Sequence, residues 1–221
     1  MNRRFTSLAL AAAVVAVAAT AQGQVVAPTG NFSGSLPAGS FGGTGNPTNP
    51  VVTSTVGDIT IGLAAQQRYT SAPTPSYDGA GTWTARDGES TGAPTPPGNT
   101  GFAAWNFDYF VSPSAATSGN IFTLFVAGDA ATGLNSHSYV LGSTTGIHYF
   151  DSSNLGYGWG GAFNPSALGT YSFALSETTA EGAPVQYVAM NVTTTPEPSS
   201  LALLGTGFVG LAGFVKRRVR R

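Results

Sequence analysis

In Trp105-Asn106-Phe107-Asp108-Tyr109-Phe110-Val111, apolar side chains stand at 105, 107, 109 and 111, and Asn106 and Asp108 take the positions between. A period of two puts alternate side chains on opposite faces, so this stretch predicts a β-strand with an aromatic face. The same alternation returns at Tyr171, Phe173 and Leu175, spaced by Ser172, Ala174 and Ser176. Ile121 to Ala127 is a continuous apolar run, which suits a strand buried on both faces.

Working outward, Val51 to Val56 and Ile59 to Ile61 are β-branched runs parted by Gly57-Asp58, a hairpin dipeptide. Short strands are also predicted near Thr82-Trp83-Thr84, at Tyr139 to Leu141 and at Ile147 to Phe150. Val185 to Val192 is the return strand, after a turn over 178–184. No amphipathic helical pattern occurs between residues 51 and 193, and Ala64 to Arg68 is too short to count as one. Many short strands with Gly- and Pro-rich turns predict an all-β fold, an antiparallel β-sandwich of jelly-roll or immunoglobulin-like type over residues 51–193. Residues 22–50 are rich in Gly, Pro, Ser, Thr and Asn and are expected to form an irregular arm.

The 221 residues include 30 Gly, 14 Pro and no Cys, which excludes disulfides, thiolate metal sites and a cysteine nucleophile. Charged residues are 9% of the chain, far below the roughly 25% of an ordinary domain, while 42% are hydrophobic. The net charge of −1 conceals an asymmetry. From Gln22 to Thr195 only Arg68 and Arg86 are basic, against nine acidic residues, a net of −7. Nucleic acid and anionic membrane surfaces need clustered Lys or Arg, so neither is an expected partner of this region.

The two ends read as targeting segments. Arg3 and Arg4 precede the apolar run Leu8 to Ala19, and Ala19-Thr20-Ala21 offers the small residues of a signal peptidase site. A signal peptide over residues 1–21, cut after Ala21, is expected. At the other end, Pro196-Glu197-Pro198 precedes the uncharged run Leu201 to Val215, which Lys216, Arg217, Arg218, Arg220 and Arg221 close. A 15-residue helix would reach about 22 Å, short of a roughly 30 Å hydrocarbon core. Snorkelling basic side chains can close that gap, and the terminal cations favour a cytoplasmic end. A membrane-inserted precursor is the expectation, with residues 22–193 outside the membrane.

Pro196-Glu197-Pro198, an apolar helix and a basic terminus, in that order over residues 194–221, resemble the PEP-CTERM sorting signal of Gram-negative bacteria. The resemblance implies processing by exosortase, a membrane protease, at the PEP motif. It also implies a mature protein at the cell surface or in extracellular polysaccharide. A second resemblance lies upstream. Asn154-Leu155-Gly156-Tyr157-Gly158, Phe163-Asn164-Pro165 and Gly169-Thr170-Tyr171-Ser172-Phe173-Ala174-Leu175 are similar to the C-terminal half of many PEP-CTERM passengers, and Trp105-Asn106-Phe107-Asp108 to a motif of the same group. That likeness supports a single β domain and carries no functional residues across.

Candidate chemistry is sparse. Gly156 to Gly161 fits G-x-G-x-x-G, but Pro165 follows where a dinucleotide site needs a helix. Gly142-Ser143-Thr144-Thr145-Gly146 places Thr where a serine hydrolase needs Ser. His137 and His148 lack zinc-ligand spacing. No cofactor is expected. Calcium is the one metal left open, because Asp78, Asp87, Glu89, Asp129, Asp151 and Asn154 are loop-type oxygen donors. Asp108 and Glu177 are the carboxylates a glycoside hydrolase would need to pair.

Aromatic rings supply the remaining lead, because a ring face offers apolar area to the C–H face of a sugar. Trp83, Trp105, Tyr149, Tyr157 and Trp159 are the candidates. Trp159 and Tyr157, in a Gly-rich loop, are expected to be exposed and to contact glycan. Thr53, Thr55 and Thr60 form a short Thr-x-Thr feature of the kind seen on ice-binding faces. The reading that follows is a non-enzymatic exported protein of the cell surface or biofilm matrix that touches extracellular polysaccharide. The alternative is a secreted carbohydrate-active enzyme, or a carbohydrate- or ice-binding module.

Overall fold

The computed structural model describes residues 25–34, 50–67, 73–89, 101–113, 119–143, 149–159, 163–196 and 206. The cleavage residues Ala19 and Ala21, the motif residues Glu197 and Pro198, and Leu201, Val215, Lys216, Arg217 and Arg218 lie outside them. Among the described residues no helix is long and apolar enough to cross a membrane.

Among the described residues eleven strands form two sheets. They are β1 (Asn31–Gly34), β2 (Val51–Val56), β3 (Ile59–Gln67), β4 (Ser76–Tyr77), β5 (Thr82–Arg86), β6 (Trp105–Pro113), β7 (Ile121–Gly128), β8 (His137–Ser143), β9 (Tyr149–Ser153), β10 (Thr170–Thr178) and β11 (Pro184–Thr195). The five-stranded sheet runs β1-β2-β3-β6-β9 and the six-stranded sheet β4-β5-β11-β10-β7-β8. Each predicted strand region falls within one of these elements, except that of Ile147 to Phe150 only Tyr149 and Phe150 fall in β9, and Ile147 and His148 lie outside the described residues. Gly57, at φ 59°, turns the predicted hairpin between β2 and β3, a left-handed conformation that costs Gly no Cβ clash.

The alternation in β6 has the predicted consequence. Trp105 and Phe107 point between the sheets and meet β10, with the Phe107 ring stacked 4.5 Å from Phe173 and the Trp105 ring 5.4 Å from Tyr171. Trp83, Ile61, Leu63, Leu124, Leu175 and Met190 complete this shared core.

Two expectations are corrected, and one strand proves longer than its sequence signal. The pairing is mixed rather than antiparallel throughout, because β5 runs parallel to β11 from Thr82↔Asn191 to Arg86↔Thr195. Alternation is identical in parallel and antiparallel strands, and nearly a hundred residues separate these two, so no hairpin dictates their direction. The arm expected to be irregular contains β1, and Thr29 forms an antiparallel bridge with Ala189. Val26 donates its N–H to Ser172 Oγ at 3.0 Å and packs on the outer face of the six-stranded sheet beside Ala174 and Ala189. Residues 64–67 continue β3 as far as Gln67, since Ala64 to Gln67 pair with Asp108 to Trp105 on β6.

Candidate binding cleft and sorting segment

β8 and β9 are the outermost strands of their respective sheets on the same side of the molecule, and they do not pair with each other. Between them opens a cleft of about 640 Å³, lined by Tyr139, Asp151, Ser152, Ser153, Tyr157, Gly158 and Trp159. The loop after β9 supplies one wall. Asn154 accepts the Gly156 N–H and starts a single 3₁₀ turn at Leu155–Tyr157, which Gly158 ends at φ 90°. That turn carries Tyr157 outward and Trp159 back toward the sheets.

Trp159 and Tyr157 therefore line one cavity, with different exposure. Tyr157 is 56% exposed and meets Phe102 edge-on at 4.8 Å. Trp159 is half-buried rather than exposed. Its ring stands edge-to-face on Tyr139 at 4.5 Å and on Phe107 at 5.5 Å, and its Nε1–H donates to Ser153 Oγ at 2.7 Å. These aromatic neighbours were not signalled by the loop sequence. The signal available was register, because Tyr109↔Asp151 and Phe107↔Ser153 place Asp151 and Ser153 on the aromatic face of β6.

Asp151 is the carboxylate of the cleft. It accepts the Tyr109 hydroxyl at 3.5 Å. Partial burial raises its pKa above the ordinary range, against hydrogen bonds from the Ser152 N–H and the Tyr109 hydroxyl. Burial, with the Asp151 charge adding to it, pushes Tyr109 up to about 12. On the opposite face of the same sheet, Asp108 is fully buried. Gln66 Nε2 donates to Asp108 Oδ1 at 3.0 Å and to Ser152 Oγ at 2.7 Å, and Asn106 Nδ2 donates to Ser152 Oγ at 3.0 Å. Asn154 Nδ2 donates to Asn106 Oδ1 at 2.8 Å, so the network runs from behind β9 to the start of the cleft loop. Burial holds the Asp108 pKa well above the carboxylate range despite hydrogen bonds from Ser152 and Gln66.

The structure does not bring Asp108 and Glu177 together. Glu177 accepts from Asn120 and Gln186, and Gln186 Nε2 also reaches Ile59 O, whereas Asp108 is bonded to Gln66. Ile59 and Gln66 lie seven residues apart on β3, about 23 Å of extended strand, and the two carboxylates serve opposite ends of it. That exceeds the spacing of a glycosidase pair.

Several loop acids named as oxygen donors hold their own turns. Asp78 Oδ1 accepts the Ala80 and Thr82 N–H groups, and Asp129 accepts those of Ala131, Thr132 and Thr170. Among the described residues no three His, Cys, Asp or Glu side chains gather to hold a metal. Trp83 is fully buried in the core, as is Trp105 save 2%, so neither presents a face to a ligand. The side chain of Tyr149, and His148, lie outside the described residues. Thr55 and Thr60 share an exposed hydroxyl contact at 2.9 Å, but Thr53 is buried, so the Thr feature stops after one rung.

β11 runs directly into the sorting segment. Asp87 N–H donates to Thr195 O at 3.0 Å, Thr194 N–H to Gly169 O at 2.9 Å, and Thr194 Oγ1 to Ala167 O at 3.0 Å. The next residue is Pro196.

Residues 194–221 match the PEP-CTERM protein-sorting motif. The match covers the array of Pro196-Glu197-Pro198, apolar run and basic terminus. The motif supports an exported, cell-surface-directed protein sorted by exosortase. No curated protein matches the chain. The PEP-CTERM segment thus begins within β11, at Thr194, and leaves no spacer between the last paired residue and the motif.

Proposed function

We propose that the PEP-CTERM segment delivers a non-enzymatic β-sandwich to the cell surface or biofilm matrix, where the cleft between β8 and β9 contacts extracellular polysaccharide. The carrying observation is that Trp159 and Tyr157 line one open cavity with Tyr139 and with hydrogen-bonding groups on Asp151 and Ser153. Sugar recognition needs that combination: an apolar ring surface for the C–H face and fixed polar groups for the hydroxyls. A binding role is supported over hydrolysis because the described lining residues include one carboxylate, and glycoside hydrolysis uses two. Ice binding has weaker support, because the Thr feature ends at Thr55 and Thr60.

The test is retention of the exported protein on insoluble polysaccharide from the producing cells. Wild type should be retained and Trp159→Ala released, with both folded by circular dichroism. Equal retention would remove the cleft from the function. Release of reducing ends from the same polysaccharide would show an enzyme instead.

A further inference from the structure

We infer that the cleft selects glycans bearing free amino groups, with Asp151 meeting the ammonium beside the Trp159 and Tyr139 rings. The inference rests on the glycan reading of the cleft. Among the described residues Asp151 is the only charged side chain in the lining, and none of them there is basic. Its carboxylate has two oxygens and accepts the Tyr109 hydroxyl at 3.5 Å on Oδ2 and the Ser152 N–H. A carboxylate can accept about four hydrogen bonds, so acceptor capacity beyond these two remains on a residue that lines the cavity.

The surrounding rings add to this. Trp159 has Tyr139 at 4.5 Å and Tyr109 at 6.4 Å; Trp159 and Tyr139 line the cavity with Asp151, and Tyr109 donates its hydroxyl to that carboxylate. A cation held over such rings gains the quadrupole attraction of their faces as well as the Coulomb attraction of the acid. A neutral sugar gains only the stacking. The region from Gln22 to Thr195 carries a net of −7, which repels polyuronates and draws cationic chains. His137, whose ring lies 6.2 Å from that of Tyr139 on β8, is the described basic side chain that flanks the site. It sits outside the lining.

The exported protein is titrated at about pH 6 and again at about pH 7, between the ordinary carboxylate range and that of an aliphatic amine of the α-amino type. The probes are a glucosamine oligomer and the same oligomer fully N-acetylated. The expected result is about tenfold tighter binding of the free-amine oligomer. That ratio should fall toward one in Asp151→Asn and at high salt, while affinity for the N-acetylated oligomer is kept. Equal affinities in the wild type, or a ratio that survives Asp151→Asn, would overturn the inference and leave the cleft as a neutral-glycan site. Binding of neither oligomer would overturn both the inference and the glycan reading. The comparison of the two oligomers needs no variant, so it decides the matter even if Asp151→Asn fails to fold.

Discussion

The indole Nε1–H of Trp159 donates to Ser153 Oγ at 2.7 Å, across the 3₁₀ turn that joins them. This bond ties the cleft loop back to the strand from which it leaves, and it fixes the indole edge-on to Phe107 and Tyr139. Replacing Ser153 by Ala removes the acceptor and leaves the donor half-buried. The expected cost is about 1 kcal/mol of stability by chemical denaturation. Glycan affinity should drop by about fivefold, as the ring loses its fixed orientation.

Trp159 and Tyr157 should separate under mutation. Trp159→Ala deletes a half-buried ring with edge contacts to Phe107, Tyr109 and Tyr139 and should cost about 2 kcal/mol or more. Tyr157→Ala removes a ring that is 56% exposed and should cost about 1 kcal/mol or less. Both should weaken glycan binding. Thermal melts alongside binding isotherms distinguish the two effects.

Asp108 makes stability depend on pH in a stated direction. Its folded pKa is raised, chiefly by burial. Below about pH 4 the side chain is protonated both folded and unfolded. Above that the unfolded chain releases the proton and the folded chain holds it, so stability falls as pH rises until the folded pKa is passed. The raised pKa of Asp151 acts in the same direction. In Asp108→Asn the Gln66 bond to Oδ1 can persist, so the decline should flatten and the neutral-pH Tm should rise by roughly 3 °C or more. Melting curves between about pH 4 and 8 measure this.

Much of this was legible from residues alone. The aromatic alternation at 105–111 and at 171–175 predicted the two strands whose rings meet in the core, because a period of two assigns faces without tertiary information. The cleft was half legible. A Gly-rich loop signalled Tyr157 and Trp159, but not that Trp159 folds back onto Phe107 and Tyr139, which depends on packing between sheets. The sequence presents Asp151 as a loop-type oxygen donor, since its place in the cleft comes from its register with Tyr109. Parallel pairing of β5 with β11 left no local trace, because residues distant in the chain set it.

Gly62 pairs with Phe110 across β3 and β6, and a Cβ added at Gly62 would collide with the Phe110 ring. Gly62→Ala should therefore destabilise by about 1–3 kcal/mol through overpacking. Phe110→Leu in the same background should recover part of the loss. Additive losses in the double-mutant cycle would show that the two residues do not share this space.

Exosortase processing has a defined product. The intact mass of the envelope-associated protein should correspond to a chain starting near Gln22 and ending near Pro196 to Pro198. Since the last paired residue is Thr195, its melting temperature should equal that of the unprocessed precursor. A mass that retains Leu201 to Arg221 would mark an anchored protein instead.

The central claim can be read from tryptophan fluorescence. Of the three tryptophans, Trp83 and Trp105 are buried in the core and only Trp159 reaches the cleft. Titrating the exported protein with solubilised polysaccharide from the producing cells should give a saturable change in emission and protect the fluorescence from a soluble quencher. Trp159→Phe should abolish that response. An emission spectrum that does not move at saturating glycan, or a change of the same size in Trp159→Phe, would contradict the account.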